Sequence, residues 1–258
     1  MKRALRLALL RLWLPVVALL AWWFASAGST SVYFPPLSKI LDAVRTEWLG
    51  PYFLQHLLPS VGKFASGYLL AMLLGVAIGL LLGLSPLARA ATDPLVQFLR
   101  SLPPPVLLPI GILIFGIGVS MNVFIIVFGS VWATLLNTAD GIRGVDEQVR
   151  DMARSYRLTR WQRIRFVLLP AAGPQIFAGM RTSLQIAIIL IVVSEMVGAT
   201  SGIGYYVLKS QQSFQVVDTW AATIVLGVLG YLATLVFLQV ERRVLAWQTG
   251  MRRSTNAE

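Results

Sequence analysis

Apolar runs close to the length of a bilayer crossing alternate with short polar segments along the whole chain. Runs of about 20 predominantly apolar residues predict membrane-spanning helices, and they fall at 12–28, 61–84, 102–118, 123–137, 176–198 and 220–240. The second carries Gly75, Gly79 and Gly83 at four-residue spacing, a stripe that predicts the close approach of another helix. Leu102-Pro103-Pro104-Pro105 heads the third, after a short loop through Asp93-Pro94; it predicts an irregular entry and a kink near Pro109. A tight turn over 118–122 leads into the fourth.

The polar stretches carry weaker patterns. Pro35-Pro36 precedes Leu37, Ile40, Leu41, Val44 and Trp48, one stripe of an amphipathic helix suited to a membrane boundary. A short helix is predicted around 205–212. The most polar segment is 146–170, where Val149, Met152, Ala153 and Tyr156 recur at i, i+3, i+4, i+7 with arginines around them, predicting one short helix. Thr159 and Gln162 have capping-box spacing and start a second, presenting Trp161, Ile164 and Arg165 and ending at Pro170. The two meet near Arg157 and Leu158.

With 57% hydrophobic and 13% charged residues among 258, the chain is too apolar for a soluble domain and reads as an all-α polytopic membrane protein with six transmembrane helices. Its net charge of +11 would point to nucleic acid in a soluble protein, but the basic residues cluster between apolar runs. Of 22 Lys and Arg residues, Lys39, Arg45, Lys63 and Lys209 fall on one side and the other 18 on the opposite side. The positive-inside rule then puts both termini and 146–170 in the cytoplasm. Ala25-Ser26-Ala27 also fits a signal-peptidase site; the length of the first run, and Trp22 with Trp23 at its outer end, favour a retained anchor. There is no Cys, and His56 is the only histidine, so disulfides and the usual zinc sites are excluded, and no cofactor is expected.

No nucleotide site is present either: Gly62-Lys63 is followed by Phe64 and lacks the upstream glycine of a P-loop. Energy must come from another chain or from a gradient. A gradient-driven carrier would use paired intramembrane acids, whereas only Glu195 stands out as an acid near a span. It could face a wet pathway or simply hold the outer segment. Ser194, Gln185, Asn122 and Asn137 are further candidates for a pathway, and each equally suits an interhelical hydrogen bond. The basic inner face also suits anionic membrane lipid.

The segment 146–170 resembles the EAA loop of ABC-importer permease subunits, Glu-Ala-Ala, three residues, Gly, nine residues, Ile-x-Leu-Pro. Asp151, Met152 and Ala153 fall on the Glu-Ala-Ala positions, Arg157 on the glycine, and Val167, Leu169 and Pro170 on the closing residues. Arg157 is the largest departure, since the glycine permits a sharp turn; either the turn uses right-handed angles or Arg157 is strained. Residues 100–118, RSLPPPVLLPIGILIFGIG, and Glu195-Met196-Val197-Gly198 with Gly202-Ile203-Gly204-Tyr205 resemble signatures of the nitrate, sulfonate and taurine branch.

The resemblance implies an N-terminal anchor (1–28), a periplasmic segment (29–60), a five-helix permease core (61–245) with coupling loop 141–175, and a cytoplasmic tail (246–258). It implies a bacterial inner-membrane homodimer that hydrolyses no ATP itself. Two ATP-binding cassette subunits would dock on Asp151, Met152, Ala153, Arg154, Tyr156, Arg157, Leu158 and Pro170. A periplasmic or lipid-anchored binding protein would deliver a small solute. The alternative is a gradient-driven transporter or channel component with no ATPase partner.

Overall fold

The computed structural model describes the backbone of residues 2–247 and the side chains of 13–247. The basic side chains Lys2, Arg3, Arg6 and Arg11, and the expected tail beyond Gln248, lie outside the described residues. Three long helices make the core: α3 (Leu58–Leu84), α6 (Val119–Arg143) and α9 (Leu169–Gly198), with α6 packed along both of the others. Lipid is as apolar as these side chains, so intimate contact rather than escape from water must hold them. The glycine stripe supplies that contact. A Cβ on Gly79 would sit 2.5 Å from the carbonyl oxygen of Leu135, and one on Gly75 or Gly83 would press on Thr134 or Ile142. Between α6 and α9, Thr134 and Ser183 hydroxyls meet at 2.8 Å, and Ser183 donates to the Ser130 carbonyl at 2.5 Å.

Two further long helices stand outside this trio. α1 (Lys2–Ser26) comes first in the chain, and α11 (Val216–Val244) comes last, joined to α9 through α10 (Ile203–Gln212). Between α1 and α3 the amphipathic stripe folds as α2 (Leu37–Ala43), continued by a π turn over Val44–Trp48, and a second π turn, Phe53–Leu57, feeds α3. Leu37, Ile40 and Trp48 bury against Ile203, Tyr206 and Ala221, while Leu41 is left exposed. Ser26 of α1 accepts the Leu37 N–H at 3.0 Å, fixing the entry to α2.

The third run departs from expectation. Instead of a short loop, 86–101 forms the amphipathic helix α4 (Pro86–Ser101), started by Ser85, whose hydroxyl accepts the Ala88 N–H, and by Pro86 at the first turn. The chain then bends by 88° into a 3₁₀ turn, Pro104–Leu107, and α5 (Leu108–Phe115). The break falls at Leu102-Pro103, while Pro109 sits harmlessly in the first turn of α5. Turn and helix together reach only about 18 Å, short of a hydrocarbon core of about 30 Å. Gly116 and Gly118, both at positive φ, make the turn to α6, so 119–122 are already helical. Among the described residues four helical segments are long and apolar enough to cross a membrane, five if the bent pair counts as one crossing; the described apolar part of α1 is shorter, Trp13–Ser26.

Candidate functional site

The polar island folds as an elbow at one end of the core. α7 (Glu147–Ser155) is capped by Asp146, whose carboxylate accepts the Gln148 N–H at 2.9 Å. It closes in a Schellman turn: the Arg157 N–H donates to Arg154 at 2.9 Å and the Leu158 N–H to Ala153 at 3.2 Å. Arg157 itself has φ +53°, so of the two expected alternatives the left-handed one holds. An L-residue there costs roughly 1–2 kcal/mol, and here the turn forms without the glycine that would avoid it.

Beyond it, Thr159 and Gln162 form the predicted capping box and start α8 (Arg160–Arg163). Pro170 does not end this helix. A π turn over Ile164–Leu168 carries the chain into α9, so the helical path is continuous from Arg160 to Gly198. Because Pro170 sits in the first turn of α9, its missing N–H coincides with the wider π turn and breaks nothing.

Arg150 ties the elbow to the core. A cation in the first turn opposes its own helix dipole, but the guanidinium reaches back to the end of α6, donating to the carbonyls of Ile142 at 2.6 Å and Arg143 at 2.9 Å, and to Val145 at 3.2 Å. Those carbonyls are the acceptors a helix end leaves open. The residues matched to the docking motif then divide. Asp151, Met152, Arg154, Tyr156 and Arg157 are exposed, Leu158 is half-buried, and Ala153 is 1% exposed, turned inward as the packing foot of α7. Pro170 stands apart from the elbow's tip. Asp151 and Arg154 pair at 2.9 Å on the surface.

A second polar constellation lies at the opposite end of the core. The carboxylate of Glu195, 1% exposed near the end of α9, accepts from Ser60 Oγ at 2.8 Å, Lys63 Nζ at 3.0 Å and the Gly204 N–H at 3.0 Å. Lys63 also donates to the Ser201 carbonyl at 2.6 Å, and Ser60 accepts the Ile203 N–H at 2.8 Å. One buried ion pair thus pins the start of α3, the end of α9 and the start of α10. Any side chain at Gly202, which has φ +129°, would collide with the Glu195 carboxylate. Lys63, expected among the outer-side charges, is 4% exposed. Ser60 and Lys63 share a helical face one turn apart, and a cation at the start of one apolar run with an acid at the outer end of another was the available signal.

The remaining pathway candidates separate. Ser194 is buried and donates to the Ile191 carbonyl at 3.1 Å within its own helix. Asn122 is fully buried with neither amide atom hydrogen-bonded, and Gln185 is exposed on the flank of α9. Asn137 accepts from Gln175 at 2.8 Å, bridging α6 and α9. Beside the pin, Tyr206 donates to Glu47 at 3.4 Å; burial first, then the negative charge of Asp218, raises the Glu47 carboxyl above its ordinary value.

Comparison with known proteins places this architecture. Residues 71–246 match the family described as binding-protein-dependent transport system inner membrane component. A putative aliphatic sulfonates transport permease of Bacillus subtilis is 35% identical over 239 residues, covering 91% of this chain and 86% of the relative. A bicarbonate transport system permease of Synechococcus elongatus is 30% identical, covering 86% and 84%. The inward-facing MetNI methionine ABC transporter contains a chain of the same fold, with a TM-score of 0.65 at 19% identity over 77% of this chain and 99% of that one. The chain belongs to the inner-membrane components of binding-protein-dependent transport systems, and is a multi-pass permease subunit of an ABC importer.

Proposed function

We propose that two copies of this chain form the translocation unit of an importer whose ATP hydrolysis resides in two separate cytoplasmic ATPase subunits. The observation that carries this reading is the elbow: α7 is anchored from behind by Arg150 and Ala153 and offers Asp151, Met152, Arg154 and Tyr156 outward. A short amphipathic helix of this kind suits a groove on a partner, and Arg154 suits charge-assisted bonds to acidic groups there. Both termini lie in the cytoplasm on this reading, since the charge asymmetry orients the elbow inward.

ATP-driven movement of the paired elbows would rock the two bundles and switch access between the faces. A binding protein delivers a small solute to the face bearing α10. Sulfonate and bicarbonate permeases are relatives, and a small oxyanion or related organic solute is the class that fits. Gln185, polar and exposed on a spanning helix, is the strongest of the pathway candidates, because Glu195 is engaged in the pin and Ser194 is bonded within its own helix. Asn122 is a second, as a buried amide without partners.

The test uses exposed positions. Asp151→Lys with Met152→Glu should abolish ATPase co-purification and uptake while leaving membrane insertion intact. Full co-purification and uptake in that variant would refute docking through α7.

A further inference from the structure

Between the elbow and the α3–α4 corner lies a cavity of about 600 Å³ whose lining is both basic and apolar. Its basic lining is Arg150, Arg154, Arg160 and Arg163, and its apolar lining includes Leu84, Ile164 and Val167; Arg150 is held by the carbonyls at the end of α6. Arg154 has Asp151 for a partner. Among the described residues, neither Arg160 nor Arg163 is in an ion pair, and no side-chain hydrogen bond involves either one. Two guanidinium groups therefore share one concave space with no anion of this chain to answer them. Guanidinium forks match phosphate geometry, and a solvated point charge would not need the apolar lining.

From these residues we infer that the cavity is a binding site for the phosphate of an anionic phospholipid, with the glycerol and upper acyl chain against Leu84, Ile164 and Val167. The location agrees: Trp161 and Phe166 on the same helical path are 65% and 67% exposed, as side chains at a headgroup boundary are. Basic pockets between spanning helices hold such headgroups elsewhere by the same forces. Bound lipid would brace the elbow against the α3–α4 corner, with Arg154, which lines the cavity and is also exposed, at its border with the docking surface. The orientation of the elbow toward the cytoplasm is taken from the proposed function, but the site itself requires only this chain.

Native mass spectrometry of the purified full chain without ATPase, titrated with phosphatidylglycerol and separately with phosphatidylcholine, tests it. Wild type and Arg165→Ala, an arginine of the same segment outside the cavity, should retain phosphatidylglycerol in preference to phosphatidylcholine. Arg160→Gln with Arg163→Gln should lower that retention roughly thirtyfold, as expected for removing two headgroup cations. The conservative pair Arg160→Lys with Arg163→Lys should keep most of it, which separates lost charge from lost fold. Equal retention by wild type and the Gln pair would overturn the site. Inorganic phosphate displacing the lipid at equal concentration would show a free-anion site instead. Loss of the lipid once the ATPase is added would assign the two arginines to that partner.

Discussion

Arg157 and the Lys63–Glu195 pair show how much a single position can carry. Arg157 occupies the left-handed C′ position of a helix end, where a Cβ is costly. Arg157→Gly should therefore tighten the elbow by about 1 kcal/mol, read as roughly fivefold slower hydrogen exchange at the 156–158 amides; unchanged exchange would mean that the turn is held by its contacts alone. Phe214, at φ +57°, closes α10 in the same kind of turn, with Gln215 donating to Ser210 at 2.9 Å. For the pin, removing one partner strands the other. Glu195→Ala should cost about 3–5 kcal/mol, while Lys63→Met with Glu195→Gln, which keeps an acceptor for Ser60 and Gly204, should cost clearly less. Thermal unfolding of the detergent-purified variants ranks the two, and equal losses would deny the pair its coupling.

At the scale of elements, one tight constraint is the seam between α3 and α6. Gly79→Ala should destabilise by about 1–3 kcal/mol, because its Cβ would meet the Leu135 carbonyl, whereas Gly227→Ala, which meets nothing within 4 Å, should be neutral or slightly stabilising. Thermal unfolding of both alanine variants checks this, and an equally tolerant Gly79 would mean that the seam can spread. This seam was legible in the sequence, since four-residue glycine spacing has one physical use in an apolar helix. So were the capping box at Thr159 and the stripe from Leu37 to Trp48, both local patterns. What the sequence hid was non-local. Proline marked a stop at Pro170 only until a π turn absorbed it, and α4 was obscured by Asp93-Pro94, which a helix tolerates once its hydrophobic face is laid along a boundary. Lys63 read only as an outer-side charge, because its partner lies 132 residues away.

For the molecule as a whole, the two polar constellations stand at opposite ends of one core. The far end should respond to pH. The Glu47 carboxyl is raised in the folded state, so the stability it contributes is complete below its ordinary value of 4.5 and is lost as pH rises through the higher folded value. Unfolding temperatures of wild type should fall relative to Glu47→Gln over that window, and parallel curves would remove Glu47 as the cause.

The unbroken helical path of 39 residues from Arg160 to Gly198 acts as a torsion rod as well as a strut. Its π turn holds one residue more than an α-helix would need, a stored increment of winding. Deleting Phe166 should release that increment, turning the elbow about the rod's axis by about 100° relative to the pinned end. The chain would still insert and bind its lipid surroundings, yet the face proposed to dock an ATPase would point elsewhere.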